Sequence, residues 1–294
     1  MGSTVKLVLL GDLHFSEYPT PELETDRDLV FESFFRQVVA LQPDQVFALG
    51  DTTHQGSLRE LEGLHHLIRS TGIPLMAITG NHDCYYLPKP TLAPYFLGPH
   101  EPVHSGGLYS SFDHSGIRFA LLDTARDRDP ANYGGMVSPE QLTWLGGLIS
   151  DFNADPQLRY FVLLGHHPLY QTTHISHEEM MHIANSGEVM ALLETLDSTP
   201  GLYCNGHNHS HSIAHLPNWL CVQTAAPLDC RSGRLITLSP TGIQVETFDF
   251  DLSDPGLRAA LERIHTSFGK GFHPQPKADT YGSVEDRAVM ISVP

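Results

Sequence analysis

The chain of 294 residues predicts an α/β fold built on parallel βαβ units, and two observations carry that expectation. Through the first half, apolar runs of strand length alternate with amphipathic stretches of helix length. Five of the apolar runs also end alike, in a glycine followed at once by Asp, Asn or His. Hydrophobic residues at 40% and charged residues at 17% are proportions of a folded globular chain, long enough to bury a substantial core.

Val5–Leu10 reads as the first strand. A helix over residues 27–41 follows, with Leu29, Val30, Phe34 and Val38 on one side. Then come a strand at Gln45–Leu49, a helix at 57–70 and a strand at 74–78. Residues 108–112 and 117–122, joined by Asp113-His114-Ser115-Gly116, read as a hairpin at a sheet edge. Ser138-Pro139-Glu140-Gln141 starts a helix, with Ser138 as cap, Pro139 first in the turn and Gln141 closing a capping box. That helix turns Leu142, Leu145 and Ile149 to the core. Tyr160–Leu164 is a wholly apolar strand, followed by a helix near 188–196 and a strand at 202–204. Residues 219–224, 234–238 and 243–248 then read as an antiparallel meander. Asp254-Pro255 opens a last helix to about residue 268. The expected organisation is one main domain over residues 1–250, with a C-terminal helix and Gly/Pro-rich tail over 251–294. Within the tail, residues 288–293 suit a strand added to a sheet edge of this chain or of a partner subunit in a homodimer. A frayed terminus is the alternative.

Asp and Glu number 34 against 17 Lys and Arg, a formal net charge of −17. This argues against nucleic acid as a partner, since non-specific affinity for a long polyanion comes from Lys and Arg. Cys84, Cys204, Cys221 and Cys230 form no C-x-x-C pair and read as free thiols of a reducing compartment. No leader pattern is visible. Val5–Leu10 is far too short to span a bilayer, and Lys6 stands where a myristoylation signal needs Ser or Thr. The expectation is a cytoplasmic protein with no membrane partner.

Nineteen histidines are the compositional oddity, and most fall in loops. KLVLLGDLH, QVFALGDTTH, LMAITGNHD, YFVLLGHHP and LYCNGHNH carry the shared ending. The carboxyl ends of parallel strands share one edge, where open α/β folds bind ligands, and a glycine there lets neighbours approach closely. Taken singly, D-x-H after a strand is a loop detail, GD means little and an Asn-His-Asp turn is usually just a turn. Together they bring Asp12, His14, Asp51, Asn81, His82, Asp83, His166, His207 and His209 to one place. Imidazoles and carboxylates with one amide and no thiolate suit Mn, Fe, Zn or Co, and the set is too nitrogen-rich for calcium. There are too many donors for one ion. Two divalent cations roughly 3.5–4 Å apart are a common means of displacing a leaving group at phosphorus.

In order, D-x-H, GD, GNHD, H and GHxH resemble the motifs of the calcineurin-like metallophosphoesterases, from Asp12 to His209. The resemblance implies a four-layer αββα sandwich, two mixed sheets flanked by helices, with two divalent metal ions (Mn, Fe or Zn) at the strand-end loops. It implies Asp12, His14 and His209 as ligands of the first metal, Asn81, His166 and His207 as ligands of the second, and Asp51 as the bridge. His166 rather than His167 matches the family ligand, which stands two residues before a proline, here Pro168. His82 resembles the family's histidine that donates to the substrate, and Asp83 is expected to orient it. His54 and His167 are candidate substrate contacts; capping by His54 is an equal reading.

Departures from the motifs narrow the group. GDTTHQG lacks the D-R-G of protein phosphatases, and His54 stands where purple acid phosphatases place a metal-binding tyrosine. GNHD differs from the usual GNRD of the lipid-A-pathway pyrophosphatases. DNA-break-repair nucleases share a histidine at the His54 position but carry an extra DNA-capping domain, and −17 suits them poorly. The best match is to small bacterial phosphodiesterases resembling cyclic-nucleotide phosphodiesterases, helped by SPEQLTWL at 138–145 and HPLY at 167–170. The function expected is hydrolysis of a small phosphodiester by a metal-activated hydroxide. A phosphomonoesterase, a nuclease and a metal-free interaction scaffold are the alternatives.

Overall fold

A computed structural model describes residues 4–96, 107–197, 200–268 and 280–293. The first sheet grows from β1 (Val5–Leu10), α1 (Pro21–Ala40), β2 (Gln45–Leu49), α2 (Leu58–Thr71) and β3 (Leu75–Ile78). Here β1 pairs parallel with β2, and β2 parallel with β3. α3 (Lys89–Phe96), which the sequence reading left out, leads to the second sheet. That sheet takes β4 (Ser110–His114), β5 (Ile117–Leu121), α4 (Pro139–Ala154), β6 (Tyr160–Leu164), α5 (Ser186–Leu193) and β7 (Gly201–Asn205). β8 (Ser212–Leu216) and β9 (Trp219–Gln223) complete it. After α6 (Pro227–Cys230), the chain returns to the first sheet with β10 (Ser232–Ser239) and β11 (Gly242–Asp249). α7 (Pro255–Thr266) and β12 (Val289–Ser292) come last. The strand orders are β12-β11-β10-β1-β2-β3 and β4-β5-β6-β7-β9-β8.

Alternation along β1 shows why four layers form. Leu7 and Leu9 face the second sheet and pack with Phe47, Phe119, Val162, Leu202 and Val222. Val8 and Leu10 face outward into a core shared with Phe31, Phe34, Leu61, Leu64 and, from α7, Leu257 and Leu261. On the far side, Phe161 and Leu163 pack with Leu145 and Ile149 of α4 and Val189 of α5. Both faces of the central strands are buried, so these strands read as unbroken apolar runs. The result is the αββα sandwich.

Two sequence expectations are corrected. The three late strands are not one meander. β9 lies parallel to β7 and antiparallel to β8 in the second sheet, whereas β10 pairs with β1 and β11 in the first. The short stretch containing α6 crosses between layers, and an apolar run carries no mark of which sheet receives it. The Ser138 capping box also forms only in half. Ser138 Oγ accepts the Gln141 N–H at 3.2 Å, but the Gln141 side chain goes to Asp123, accepting its N–H at 2.8 Å and donating to its carbonyl at 2.9 Å. Gln141 thereby ties α4 to the end of β5. The complete box is at Ser57 and Glu60, on α2.

In the tail, β12 pairs antiparallel with β11 of its own chain, from Val245↔Val289 to Gly242↔Ser292. The Gly/Pro-rich stretch 269–279 lies outside the described residues.

Candidate metal centre

Five strand ends meet between the two sheets: those of β1, β2 and β3 from the first, and β6 and β7 from the second. The sequence reading placed them along one sheet edge, and the site is instead a seam between two. Interleaving the loops requires unusual backbone. His14, Asp51, His207 and His209 have φ of 46°, 46°, 73° and 54°. Such values are uncommon outside glycine and persist where surrounding contacts over-determine them, as they do at functional sites. Gly80 is needed for room, since a Cβ there would lie 2.1 Å from Asp51 Oδ1. Gly50, at φ +89°, faces His166 in the same way, with a Cβ 2.4 Å from Nδ1.

Each imidazole on the second-sheet side is anchored through one nitrogen and presents the other. His166 Nδ1 donates to the Leu49 carbonyl at 2.8 Å, and His207 Nε2 to the Met180 carbonyl at 2.9 Å. His209 Nδ1 donates to Asp229 Oδ2 at 3.0 Å. The opposite nitrogens converge. His209 Nε2 is 3.1 Å from His14 Nε2 and 3.5 Å from Asp12 Oδ1. His166 Nε2 is 3.1 Å from Asn81 Oδ1, 3.3 Å from His207 Nδ1 and 3.4 Å from Asp51 Oδ2. Asp51 Oδ1 accepts the His82 N–H at 2.8 Å, while Oδ2 stands between the two groups, 4.0 Å from His14 Nε2. Asp12 accepts the His207 N–H at 2.9 and 3.1 Å. Asn81 Nδ2 donates to the Tyr85 hydroxyl at 2.7 Å, which turns its Oδ1 inward.

Charge at the centre follows from burial among these groups. Burial opposes the charged form of His166, but the Asp51 carboxylate and its hydrogen bond lift it to about 9. Burial opposes that of His209 too, yet Asp12, joined by Asp229, lifts it to about 10. Burial, joined by the neighbouring imidazoles, pushes His14 well below its ordinary range and His207 down to about 4. Burial raises both carboxylates, but the neighbouring imidazoles more than offset it and hold Asp51 well below and Asp12 below the usual range. The centre thus draws positive charge to two places, one beside Asp12 and one beside Asp51. Divalent cations would supply that charge and displace the protons. Nitrogen and oxygen donors without sulfur fit borderline divalent ions. Asp12 with His14 and His209, and Asp12 with Asp51 and His166, each bring donor atoms within 4.8 Å of one another.

Two expected residues, Asp83 and His167, do other work. Asp83 does not touch the His82 ring. Its carboxylate accepts from Thr52 N (3.2 Å), Thr52 Oγ1 (2.8 Å), Thr53 N (2.8 Å), Thr53 Oγ1 (2.7 Å) and Gly80 N (2.9 Å). It braces the β2 loop against the β3 loop. His82 Nδ1 instead donates to the His54 carbonyl at 2.6 Å, so a main-chain oxygen fixes its tautomer. His167 is fully buried, with Nδ1 on the Thr124 hydroxyl and Nε2 on the Tyr133 carbonyl, both at 2.8 Å. Neither nitrogen is left for a substrate. The ring of His54 is buried against Phe268, with Nδ1 3.4 Å from His14 Nδ1, and one of its nitrogens lies within 4.8 Å of ring nitrogens of His14 and His82. Burial pushes His54 down to about 4. Asp229 escaped the sequence reading because it follows no strand-end motif.

A family model of the calcineurin-like phosphoesterases matches residues 5–211, from β1 through the GHNH loop. The chain belongs to that family. It is a metal-dependent phosphoric ester hydrolase, and the buried His and Asp groups provide candidate metal-binding positions. Among relatives, a probable cyclic nucleotide phosphodiesterase of Fibrobacter succinogenes is 22% identical over 212 residues, 72% of this chain and 75% of its own length. One from Synechococcus is 27% identical over 169 residues, 56% and 58% of the two lengths. Among solved structures, a dimetal phosphatase from Danio rerio aligns with TM-score 0.69 and 15% identity, over 84% of this phosphoesterase and 99% of that chain. GAP50, the anchor in the inner membrane complex of Plasmodium, aligns at 0.58 and 12%, over 96% and 92%. At such identities these structures speak for the fold alone. One sandwich serves a phosphatase and an anchor, so chemistry must be argued from the site. No helix among the described residues is long and apolar enough to cross a membrane.

Proposed function

We propose that this phosphoesterase is a dinuclear phosphodiesterase acting on a small diester of the cyclic-nucleotide class. The observation that carries the reading is the convergence of seven donors from five strand ends, with three imidazoles each anchored through the opposite nitrogen. Asp12, His14 and His209 would hold the first cation, Asn81, His166 and His207 the second, and Asp51 would serve both. When bound, the cations activate a water and neutralise the phosphoryl oxygens. His82 is the group that would act on the leaving oxygen. Its Nδ1 proton is committed to the His54 carbonyl, so Nε2, when both ring nitrogens carry protons, is the atom that would give its proton to the leaving oxygen as the ester bond breaks, leaving the neutral Nδ1–H ring. Strain in four of the site's backbones supports a reacting centre over a scaffold, which has no need of it. The names of both curated relatives and the −17 charge favour a small diester over nucleic acid. All four cysteines are buried free thiols, which supports a cytoplasmic site of action.

The test is the full chain, reconstituted with Mn²⁺, assayed on chromogenic phosphate diester and monoester and then on a panel of cyclic nucleotides. Preference for the diester, with turnover of a cyclic nucleotide, is the expected result. Preference for the monoester would make the enzyme a phosphatase on the same site.

A further inference from the structure

We propose that Asp229 is a positioning residue that makes the first cation site the tighter of the two; this rests on the two-cation reading above. The three imidazoles described are oriented differently. His166 and His207 donate to main-chain carbonyls of Leu49 and Met180, whereas His209 donates to a carboxylate, at 3.0 Å from Asp229 Oδ2. A carboxylate behind a ligating imidazole fixes the ring, fixes the tautomer and makes the free nitrogen a stronger donor than a carbonyl does. The first site therefore has an anionic support that the His166 and His207 contacts of the second site do not supply.

The support is itself held rigidly. Asp229 is 2% exposed and sits on α6, where the chain crosses between sheets. On one side, the Leu228 carbonyl accepts a hydrogen bond from His265 of α7. On the other, Cys230 Sγ lies 2.7 Å from Ser232 Oγ, which is 2.8 Å from His211 Nε2. His211 is two residues beyond His209, so α6 and the His209 loop are tied both through the Asp229 carboxylate and through this polar chain. The loop is also tied to the C-terminal segment, where the Thr280 carbonyl accepts the His211 N–H at 2.8 Å. A carboxylate fixed this way holds His209 in place without waiting for the cation to order it.

Competition of the full-length protein with a chromophoric chelator for Zn²⁺ tests this, alongside circular dichroism. The wild type should bind in two steps. In Asp229→Ala, the step that His14→Ala also weakens should lose ~10–100-fold in affinity, while the step that Asn81→Ala weakens stays put. Asp229→Asn is near-isosteric, keeps an acceptor and loses the charge, so it should fold and show a smaller loss in the same step. Unchanged steps in both variants would overturn the proposal while leaving the two-cation reading intact. Equal weakening of both steps would overturn it as well, since general damage explains that result. A wild type that binds no Zn²⁺ would remove the two-cation reading itself.

Discussion

His82 and Asp83 are neighbours in the chain and act in opposite directions. His82 points toward the centre from a main-chain anchor, and Asp83 turns back into five donors of the β2 and β3 loops. The His82→Ala enzyme should keep both cations and its melting temperature while kcat falls ~10²–10⁴-fold. A substrate with a very good leaving group should be affected least. Metal loss in that variant would contradict a proton-delivering role. Asp83→Ala should behave the other way. It strands buried donors, at ~1–3 kcal/mol for each left without a partner, so melting temperature and metal content should fall together. An Asp83→Ala protein that melts normally, binds both cations and is merely slow would restore the pairing with His82. The nine strand-end residues were legible because each stands in a loop that follows an apolar run and a glycine, and the choice of seven among them as ligands rests on the family resemblance. The directions of Asp83 and His167 were not, because one residue of turn decides which way a side chain faces. Asp229 had no local signal, since its role arises from α6 lying beside a loop distant in sequence.

At the level of elements, the site depends on loops passing closer than a side chain allows. Gly80 closes β3 directly against Asp51, so Gly80→Ala should displace the carboxylate that faces both groups. The expected variant retains its circular dichroism yet loses most of its bound metal and its activity. Wild-type metal content would show that the loop can yield and that the close approach is not required. Strand and helix alternation made β1 through β3 and then β6 and β7 readable, because their connections carry helices, while β5 was readable as half of the hairpin with β4. The assignment of β9 and β10 to different sheets was not readable. Sheet membership depends on pairing partners far away in sequence, such as β1 with β10, and no local period encodes it.

Across the whole molecule, the two sheets are rigid supports on either side of one polar seam. The αββα layering was legible through the family resemblance that the five motifs carry, whereas the seam's position between two sheets was not, and the pairing of β12 with the first sheet depended on a tail whose composition admitted a frayed end equally well. The function proposed for the seam requires that it hold two cations with Asp51 between them. Metal stoichiometry tests it most directly: equilibrium dialysis against Mn²⁺, followed by elemental analysis of the wild type and of Asp51→Ala with matching circular dichroism. About two equivalents are expected in the wild type, as for a two-metal site, with loss of both in Asp51→Ala. Less than about one equivalent in the wild type, or an Asp51→Ala protein that retains both ions, would contradict it.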